Sequence, residues 1–598
     1  MLSPIPTELT PQAFLGVERS LTGRVWRAAN ADERLAQAIS QRLGLPEVVG
    51  RVLAARGVGI DQVETYLNPT LRDQLPDPFH LRGMAEAAER VARAVRDGEI
   101  VGLFGDYDVD GATGTALLFR FLRSVGGRVA THIPDRLMEG YGPNTGALLG
   151  LGELGARVII TVDCGTLSFE PLAAAADAGL DVIVVDHHEA EPELPRALAV
   201  INPNRLDAPS PHGHLAAVGV ALLLAVGINR RLRESGWYGP ERIAPDLMQW
   251  LDIVALGTVC DVVPLVGVNR AIVAQGLKVA ARRGNAGMAA LADVAGLAER
   301  PDAWHFGYAL GPRVNAGGRV GQADLGLRLL TCDDPTEARE LALVLDEHNR
   351  TRQEIEAAVL RDAIEQVESH PDSGRPLVMA VGEGWHPGVI GIIAGRLKER
   401  YHRPACVIAL EGGEGRGSGR SIQGLNLGAA VIAARQSGIL IKGGGHAMAA
   451  GFTVARERVE DLRAFLGENL AAAMREPIVP SLALDGAVEV GGASLELADT
   501  LRRLGPFGAG NAEPRIAVSA ARVSGARVVG SGHVSCRLTG SSGARIKAIA
   551  FRVADSELGH ALLAGDGKVF HLAGTLRVDT WQGNTSVQLL IEDAAHVR

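Results

Sequence analysis

Three short apolar runs, residues 100–104, 157–162 and 181–185, are each followed at once by acidic or imidazole side chains. Between them lie stretches of helical character, at 86–97, 112–123 and 171–178. Strands alternating with helices predict an α/β fold with a mostly parallel, doubly wound sheet. In such sheets ligands gather beyond the carboxyl ends of the strands. Here those ends read Gly105-Asp106-Tyr107-Asp108-Val109-Asp110-Gly111, then Asp163-Cys164-Gly165, then Asp186-His187-His188. Asp261, after apolar residues 253–259, is a fourth candidate for the same edge.

Carboxylates this dense cannot all stay ionised in a dry crevice without counter-charge. Divalent cations resolve that repulsion. Carboxylates alone suit Mg²⁺, and added imidazole shifts the preference toward Mn²⁺ or another first-row metal. Four to six carboxylates with two histidines suffice for two ions about 3.5–4 Å apart, the arrangement that activates water in phosphoester hydrolysis. Taken singly, each feature has a blander reading: a lone DxD is usually a turn, and Asp110 could simply cap the helix beginning near Ala112. Their joint occurrence at the ends of one sheet favours a metal centre.

The remaining composition bounds the rest. A chain of 598 residues implies roughly four domains. With 47% hydrophobic and 22% charged residues it is a folding chain, not a disordered one. Its longest apolar stretch, residues 215–228, falls short of the ~18 needed to cross a bilayer and reads as a buried helix. Pro4, Pro6, Glu8 and Pro11 stand where a signal peptide would place a basic region and an apolar core. Cys164, Cys260, Cys332, Cys406 and Cys536 are scattered, with no CxxC pair, which fits a reducing cytoplasm and excludes a cysteine zinc finger. The net charge of −9 gives no global attraction to nucleic acid, although a local basic groove could coexist with it.

Along the chain, residues 1–75 mix short helical patterns with prolines and carry no identifiable chemistry. Residues 76–270 hold the metal candidates. Within 271–370 a long charged helix from Pro335 to about Ser369 suits a solvated connector between two lobes. Residues 371–472 form a second, glycine-rich α/β region. In 473–598, alternating runs at 515–523, 545–553, 569–578 and 585–591, with a turn at 580–584, predict a small β-barrel.

GDYDVDGATGTALL, TVDCG, VVDHHE and ALGTVCDVVPL resemble the four motifs of the DHH phosphoesterase superfamily. GPRVNAGGRV, WHPGVIGIIAGRLKERYHRP, GSGRSIQGLNL and GGGHAMAAGF resemble the longer signature of its RecJ branch, the single-strand-specific 5′→3′ DNA exonucleases. LRRLGPFGAGNAEP resembles the entry to that branch's oligonucleotide-binding barrel. The likeness runs in order from about Asp77 to the C-terminus. It departs modestly at Val109, where alanine is usual, and at GTLSFEP after Asp163. Before Asp77 it is loose, carried by LTGRVWR and the LNP at 67–69.

The resemblance implies metal ligands at Asp106, Asp108, Asp110, Asp163, His187, His188 and Asp261, with Asp163 bridging two ions, Mn²⁺ preferred and Mg²⁺ usable. Asp186 would orient its histidine neighbours. Arg136, Ser418 and Arg420 would hold the substrate's 5′-phosphate. Arg313, Asn315 and Arg319 would line the DNA path, and His446 would sit near the scissile phosphate. The implied activity is hydrolysis of single-stranded DNA to 5′-mononucleotides in recombination and repair, by a monomer. Its expected partners are a single-strand-binding protein and a helicase. A passage too narrow for duplex would select single strands, with Phe507, Phe551 and Trp581 as stacking candidates and Arg24 and Arg27 near the DNA entrance. Two alternatives stand beside it: a DHH-family phosphodiesterase for short oligonucleotides or cyclic dinucleotides, and a non-catalytic replication scaffold. The C-terminal barrel disfavours the first, and the full set of acidic and imidazole positions disfavours the second.

Overall fold

Residues 100–104 fall in the strand Ile100–Gly105 of the computed structural model, which describes residues 12–136, 138–369, 376–473, 479–581 and 584–597. The first sheet runs Arg128–His132, Ile100–Gly105, Ala156–Val162, Asp181–Val185, Ala199–Ile201, with every pairing parallel. Chain order reverses beside Ile100–Gly105, leaving a crevice at the carboxyl end of that strand and of Ala156–Val162. Successive side chains point to opposite faces. Val101, Leu103, Ile160 and Val162 pack beneath the helices Val109–Ser124 and Ala217–Glu234, whereas Phe104, Ile159, Val182 and Val184 meet Thr145–Glu153 and Phe169–Asp177. Cover on both faces explains why these strands read as unbroken apolar runs.

Residues 215–228 lie in the buried helix Ala217–Glu234 and the two residues before it, and no described helix is long and apolar enough to cross a membrane. Residues 253–259 lie in a helix, Leu251–Cys260, so Asp261 reaches the sheet's edge from a helix C-terminus and not from a strand end. This helix is apolar all round because helices Val109–Ser124, Ala217–Glu234 and Gly267–Ala280 enclose it, so its period is not visible in the sequence.

The helix Pro335–Ser369 spans 35 residues, roughly 52 Å. It is more than a solvated connector. Leu341 and Leu345 belong to the core beneath the first sheet, while Val359 and Ala363 pack against the second. That second sheet is mixed, in the order Leu440–His446, Ala449–Ala455, Glu414–Arg420, Ala405–Glu411, Val378–Glu383, with only the last pair parallel. In Glu414–Arg420 alternate residues are glycine: a Cβ at Gly417 would lie 2.0 Å from the Phe452 ring, and one at Gly419 2.6 Å from Leu427. Ser418 and Arg420 therefore stand on the opposite face of the strand.

The C-terminal strands Ile516–Val529, His533–Thr539, Arg545–Ala550, Asn584–His596 and Val569–Trp581 close into a ring, because the last pairs back to the first. The expected turn at 580–584 includes residues 582–583, which lie outside the described residues. The N-terminal segment is bound into this barrel. Val25–Ala28 pairs in parallel with Ser481–Leu484, and Ile39, Val49, Val52 and Leu53 share a core with Ile516, Leu538 and Leu589. Trp26 is fully buried, and its indole Nε1 donates to Asp593 Oδ2 at 3.0 Å. Arg24 lies 3.7 Å from that same buried carboxylate and donates to the Glu592 carbonyl. Trp26→Ala is expected to destabilise the barrel by about 3–5 kcal/mol, through a cavity and the loss of the indole hydrogen bond to buried Asp593 Oδ2. Thermal unfolding checks this; an unchanged transition would contradict the clasp.

Candidate metal centre and phosphate pocket

Each acidic motif begins where a strand's ladder ends. The Asp106 amide donates to Val162 O at 3.1 Å, the Asp163 amide to Val185 O at 2.9 Å, and the Asp186 amide to Ile201 O at 3.1 Å. Three carboxylates thus leave adjacent strands at one level. Asp108 caps the helix Val109–Ser124, accepting from Asp110 N at 2.9 Å and Gly111 N at 3.1 Å. Gly111 is required for close approach, since a Cβ there would lie 2.5 Å from Asp106 O. Asp110 accepts from Ala217 N at 2.6 Å and Val218 N at 2.9 Å, the N-terminus of the helix Ala217–Glu234. Asp163 takes a left-handed backbone, φ 65°, which costs a non-glycine residue about 1–2 kcal/mol.

All seven predicted ligand residues meet at this edge. Three groups have ligand atoms within 4.8 Å of one another: Asp106, Asp108 and Asp163; Asp110, His187 and Asp261; Asp163, His187 and His188. His187 Nε2 lies 3.3 Å from Asp163, 3.5 Å from Asp261 and 3.8 Å from Asp110. Asp106 Oδ1, Asp163 Oδ1, Asp261 Oδ2 and His187 Nε2 are buried with no hydrogen-bond partner among the described residues. Burial and mutual repulsion raise the carboxyl pKa values: Asp110 rises to about 7, Asp261 to about 9, and Asp106 and Asp163 well above the usual range. Burial, helped by the neighbouring His188, lowers His187 to about 4, leaving it neutral. Converging, partnerless acceptors with raised pKa values fit divalent cations.

Asp186 plays a different part. Burial would raise its pKa, but hydrogen bonds from His188 and Thr166 hold it below the usual range. Its Oδ1 lies 2.7 Å from His188 Nδ1 and accepts from His187 N at 2.8 Å, so it orients the histidine pair. Several supporting residues escaped the sequence reading. Tyr141 donates its hydroxyl to Asp163 O at 3.1 Å, while Asn202 and Asn204 donate to the carbonyls of His188 and His187. The INPN run at 201–204, at the end of a strand, was the available signal for the asparagines.

A cationic pocket adjoins the carboxylates. The Arg136 guanidinium stacks over the Tyr107 ring, 5.1 Å from its centroid. Burial and the charge of Arg136 lower Arg319 to about 10 and also depress Arg420. None of these three arginines has a carboxylate within 4 Å among the described residues. Ser418 Oγ accepts from Arg420 Nη1 at 3.2 Å, and a Cβ at Gly391, in the first turn of Ile390–Tyr401, would be 3.1 Å from both side chains. A helix N-terminus, a hydroxyl and three guanidinium groups, with no carboxylate within 4 Å of the guanidinium groups among the described residues, could hold an anion.

The other predicted residues are placed less uniformly. Arg313 donates to Asp346 at 2.9 Å and to Ala309 O, an ion pair that ties Gly311–Val320 to the long helix. Asn315 lies on that helix one turn before Arg319, whose Nη1 reaches across to Gly388 O at 2.9 Å. His446 is exposed on the second lobe, 3.3 Å from Glu189 of the first. Phe507 packs against the barrel core, Phe551 is exposed beside His533, and the Trp581 side chain lies outside the described residues.

Comparison with known proteins adds an independent finding. Residues 100–258 match the DHH family, N-terminal domain; residues 374–472 match the DHHA1 domain; and residues 484–593 match the RecJ OB domain. The single-stranded-DNA-specific exonuclease RecJ of Dickeya dadantii (strain 3937) is 39% identical over 567 residues, covering 92% of this chain and 96% of that protein. The crystal structure of RecJ in complex with Mn²⁺ from Thermus thermophilus matches with a TM-score of 0.79 at 29% identity, over 95% of this chain and 79% of that one. The corresponding Mg²⁺ complex matches with a TM-score of 0.73 at 28% identity, over 95% and 78%.

Proposed function

The chain belongs to the RecJ family of single-stranded-DNA-specific exonucleases, and from that premise we propose that it degrades single-stranded DNA from the 5′ end to 5′-mononucleotides. It is a metal-dependent nuclease, using Mn²⁺ or Mg²⁺. The observation that carries this reading is the set of four buried ligand atoms without hydrogen-bond partners among the described residues, facing one another beside three arginines with no carboxylate within 4 Å among those residues. Asp106, Asp108 and Asp163 would hold one ion, and Asp110, His187 and Asp261 the other. Asp163 stands between the two sets, and His188 closes one side. When bound, the ions acidify water and stabilise charge on a leaving oxygen. Imidazole in the set favours Mn²⁺.

The protein's own groups position the strand. Arg136, Arg420 and Ser418 grip the terminal phosphate and so set polarity and step length. Arg319 and Asn315 follow the backbone away from the pocket, whereas Arg313 supports them through Asp346. His446 stands near the scissile phosphate at the mouth between the lobes. The passage bounded by the two lobes admits a single strand and excludes duplex. The lobe at 76–270 holds the metals, 271–370 joins it to the phosphate-facing lobe at 371–472, and the barrel at 473–598 contacts strand further along. In the cell we place the enzyme in the cytoplasm as a monomer in recombination and repair, with a helicase and a single-strand-binding protein supplying substrate.

The test uses 5′- and 3′-labelled single strands with Mn²⁺, a blunt duplex and an Asp163→Ala control. Immediate release of labelled mononucleotide from the 5′-labelled strand, with duplex spared and the variant inactive, is the expected result. Cleavage of dinucleotides alone, or no cleavage despite bound metal, would refute the reading. Arg136→Ala with Arg420→Ala should lower kcat/KM on a 5′-phosphorylated strand by roughly 10–100-fold, the effect of losing charge-assisted hydrogen bonds. The same pair should change a 5′-hydroxyl strand far less. Equal losses on both would remove the phosphate from the pocket. Deleting the barrel from about residue 480 should weaken DNA binding while sparing metal binding. That deletion also uncovers Val49, Val52 and Leu53, so the N-terminal segment must be removed with it.

A further inference from the structure

Away from the metal centre and the phosphate pocket, two large aromatic side chains stand in solvent and stack on each other. Trp304 is 55% and Tyr308 72% exposed, with ring centroids 5.7 Å apart and planes inclined by 25°. Four residues apart, they share one helix face. Rings of this size are ordinarily buried, and an exposed pair marks a contact surface.

Their position along the chain gives the surface a direction. His305–Leu310 is a π-helix that runs without a break into Gly311–Val320, the helix carrying Asn315 and Arg319. Phe306 and Leu310 are buried beneath it. Cys260 Sγ donates to Phe306 O at 3.5 Å, so the π-helix crosses the end of Leu251–Cys260, immediately before Asp261. A widened turn of this kind is rare and recurs at functional sites. Tyr308 precedes Arg319 by eleven residues, roughly 16 Å of helical rise. Arg577 of the barrel strand Val569–Trp581 donates to Glu513 at 2.8 and 3.1 Å and also lies within electrostatic reach of Glu299 and Asp302, the acids just before this turn that hold His305 at 3.3 and 2.6 Å. The aromatic pair therefore lies between the phosphate pocket and the barrel, on a braced support.

We propose that Trp304 and Tyr308 form a stacking step for bases of the single strand, a few nucleotides 3′ of the anchored end. This rests on the nuclease reading above. Any base presents a π-face, so such a step holds strand without choosing sequence, and it rewards only unpaired bases. It would keep the strand engaged while the 5′ end advances after each cleavage.

The experiment measures binding of the full chain, in EDTA, to a labelled 5′-phosphorylated strand of about 20 nucleotides. The comparison strand has abasic sites at about the third to seventh positions. Wild type should bind the abasic strand at least about fivefold more weakly, the lower bound for one stacked base. Trp304→Ala with Tyr308→Ala should bind the intact strand as weakly as wild type binds the abasic one and lose the contrast. Phe at both positions should restore it. Unchanged thermal unfolding of the alanine variant excludes misfolding as the cause. Wild-type affinity in the alanine variant, or a surviving abasic contrast, overturns the stacking step. If wild type binds strand but releases no nucleotide with Mn²⁺, the nuclease reading fails, while the abasic contrast still decides the stacking step.

Discussion

Replacing Asp163 by alanine or asparagine is expected to lower kcat on single-stranded DNA on the order of 10³-fold or more, about 4 kcal/mol or more of activation free energy. Its carboxylate belongs to two of the three ligand groups and lies 3.3 Å from His187 Nε2, so its loss removes a ligand from both. Asparagine is the sharper substitution, because it nearly preserves shape and tolerates the left-handed backbone at φ 65°. The same change should leave the metal-free protein as stable as wild type, or more so. In wild type Asp163 is buried against Asp108, Asp110, Asp106 and Asp261, and its pKa is raised by that burial and repulsion. A neutral amide removes the repulsion. Melting curves in EDTA and in Mn²⁺ separate the effects: the metal should raise the transition of wild type and not of the variant. Retained turnover, or a retained Mn²⁺ shift, would remove Asp163 from the centre. Asp186→Asn, which touches the histidines and no open ligand position, should cost only about 10–100-fold in metal affinity.

Metal affinity should climb steeply with pH. Asp110, with a pKa near about 7, and Asp261, near about 9, hold protons at neutral pH in the metal-free site, and burial comes first among the causes for both. A cation must expel those protons. Apparent Mn²⁺ affinity between pH 6 and 8 is therefore expected to rise by up to about tenfold per pH unit for each proton displaced. The sign for stability is opposite in the metal-free protein. These carboxyls bind protons more tightly folded than unfolded, so their contribution is complete below pH ~4. It is lost as pH rises through about 7 for Asp110 and about 9 for Asp261. His187, lowered to about 4, acts the other way, and its contribution is lost as pH falls from ~6.5 through that value. Isothermal titration in two buffers of different ionisation enthalpy counts the released protons. A pH-independent affinity with no proton release would mean the carboxyls are already ionised and the repulsion is not there.

Much of the catalytic lobe was legible because its signals are local. A strand buried on both faces must be apolar throughout, and a ligand at its carboxyl end must follow within a few residues. Ile100–Gly105 with Asp106, Ala156–Val162 with Asp163, and Asp181–Val185 with Asp186 therefore announce themselves. Asp261 was legible as a candidate but not as a helix C-terminus, since Leu251–Cys260 is enclosed on every side and shows no period. Arg313 and Arg319 look alike in GPRVNAGGRV, yet one is tied to Asp346 and the other has no carboxylate partner among the described residues.

By itself the amino-acid sequence determined the order of the elements, the ligand types and the chemistry they demand, because side-chain period and strand-end composition are properties of neighbouring residues. Tertiary structure alone decided which partners those residues meet. It set Asp110 on the first amides of Ala217–Glu234, about a hundred residues away, and Tyr141 on the Asp163 carbonyl. It locked the Trp26 indole to Asp593 at the far end of the chain and turned Trp304 and Tyr308 outward into solvent. Such contacts depend on how packed faces are rotated against one another, and a local hydrophobic pattern states only that a face is buried.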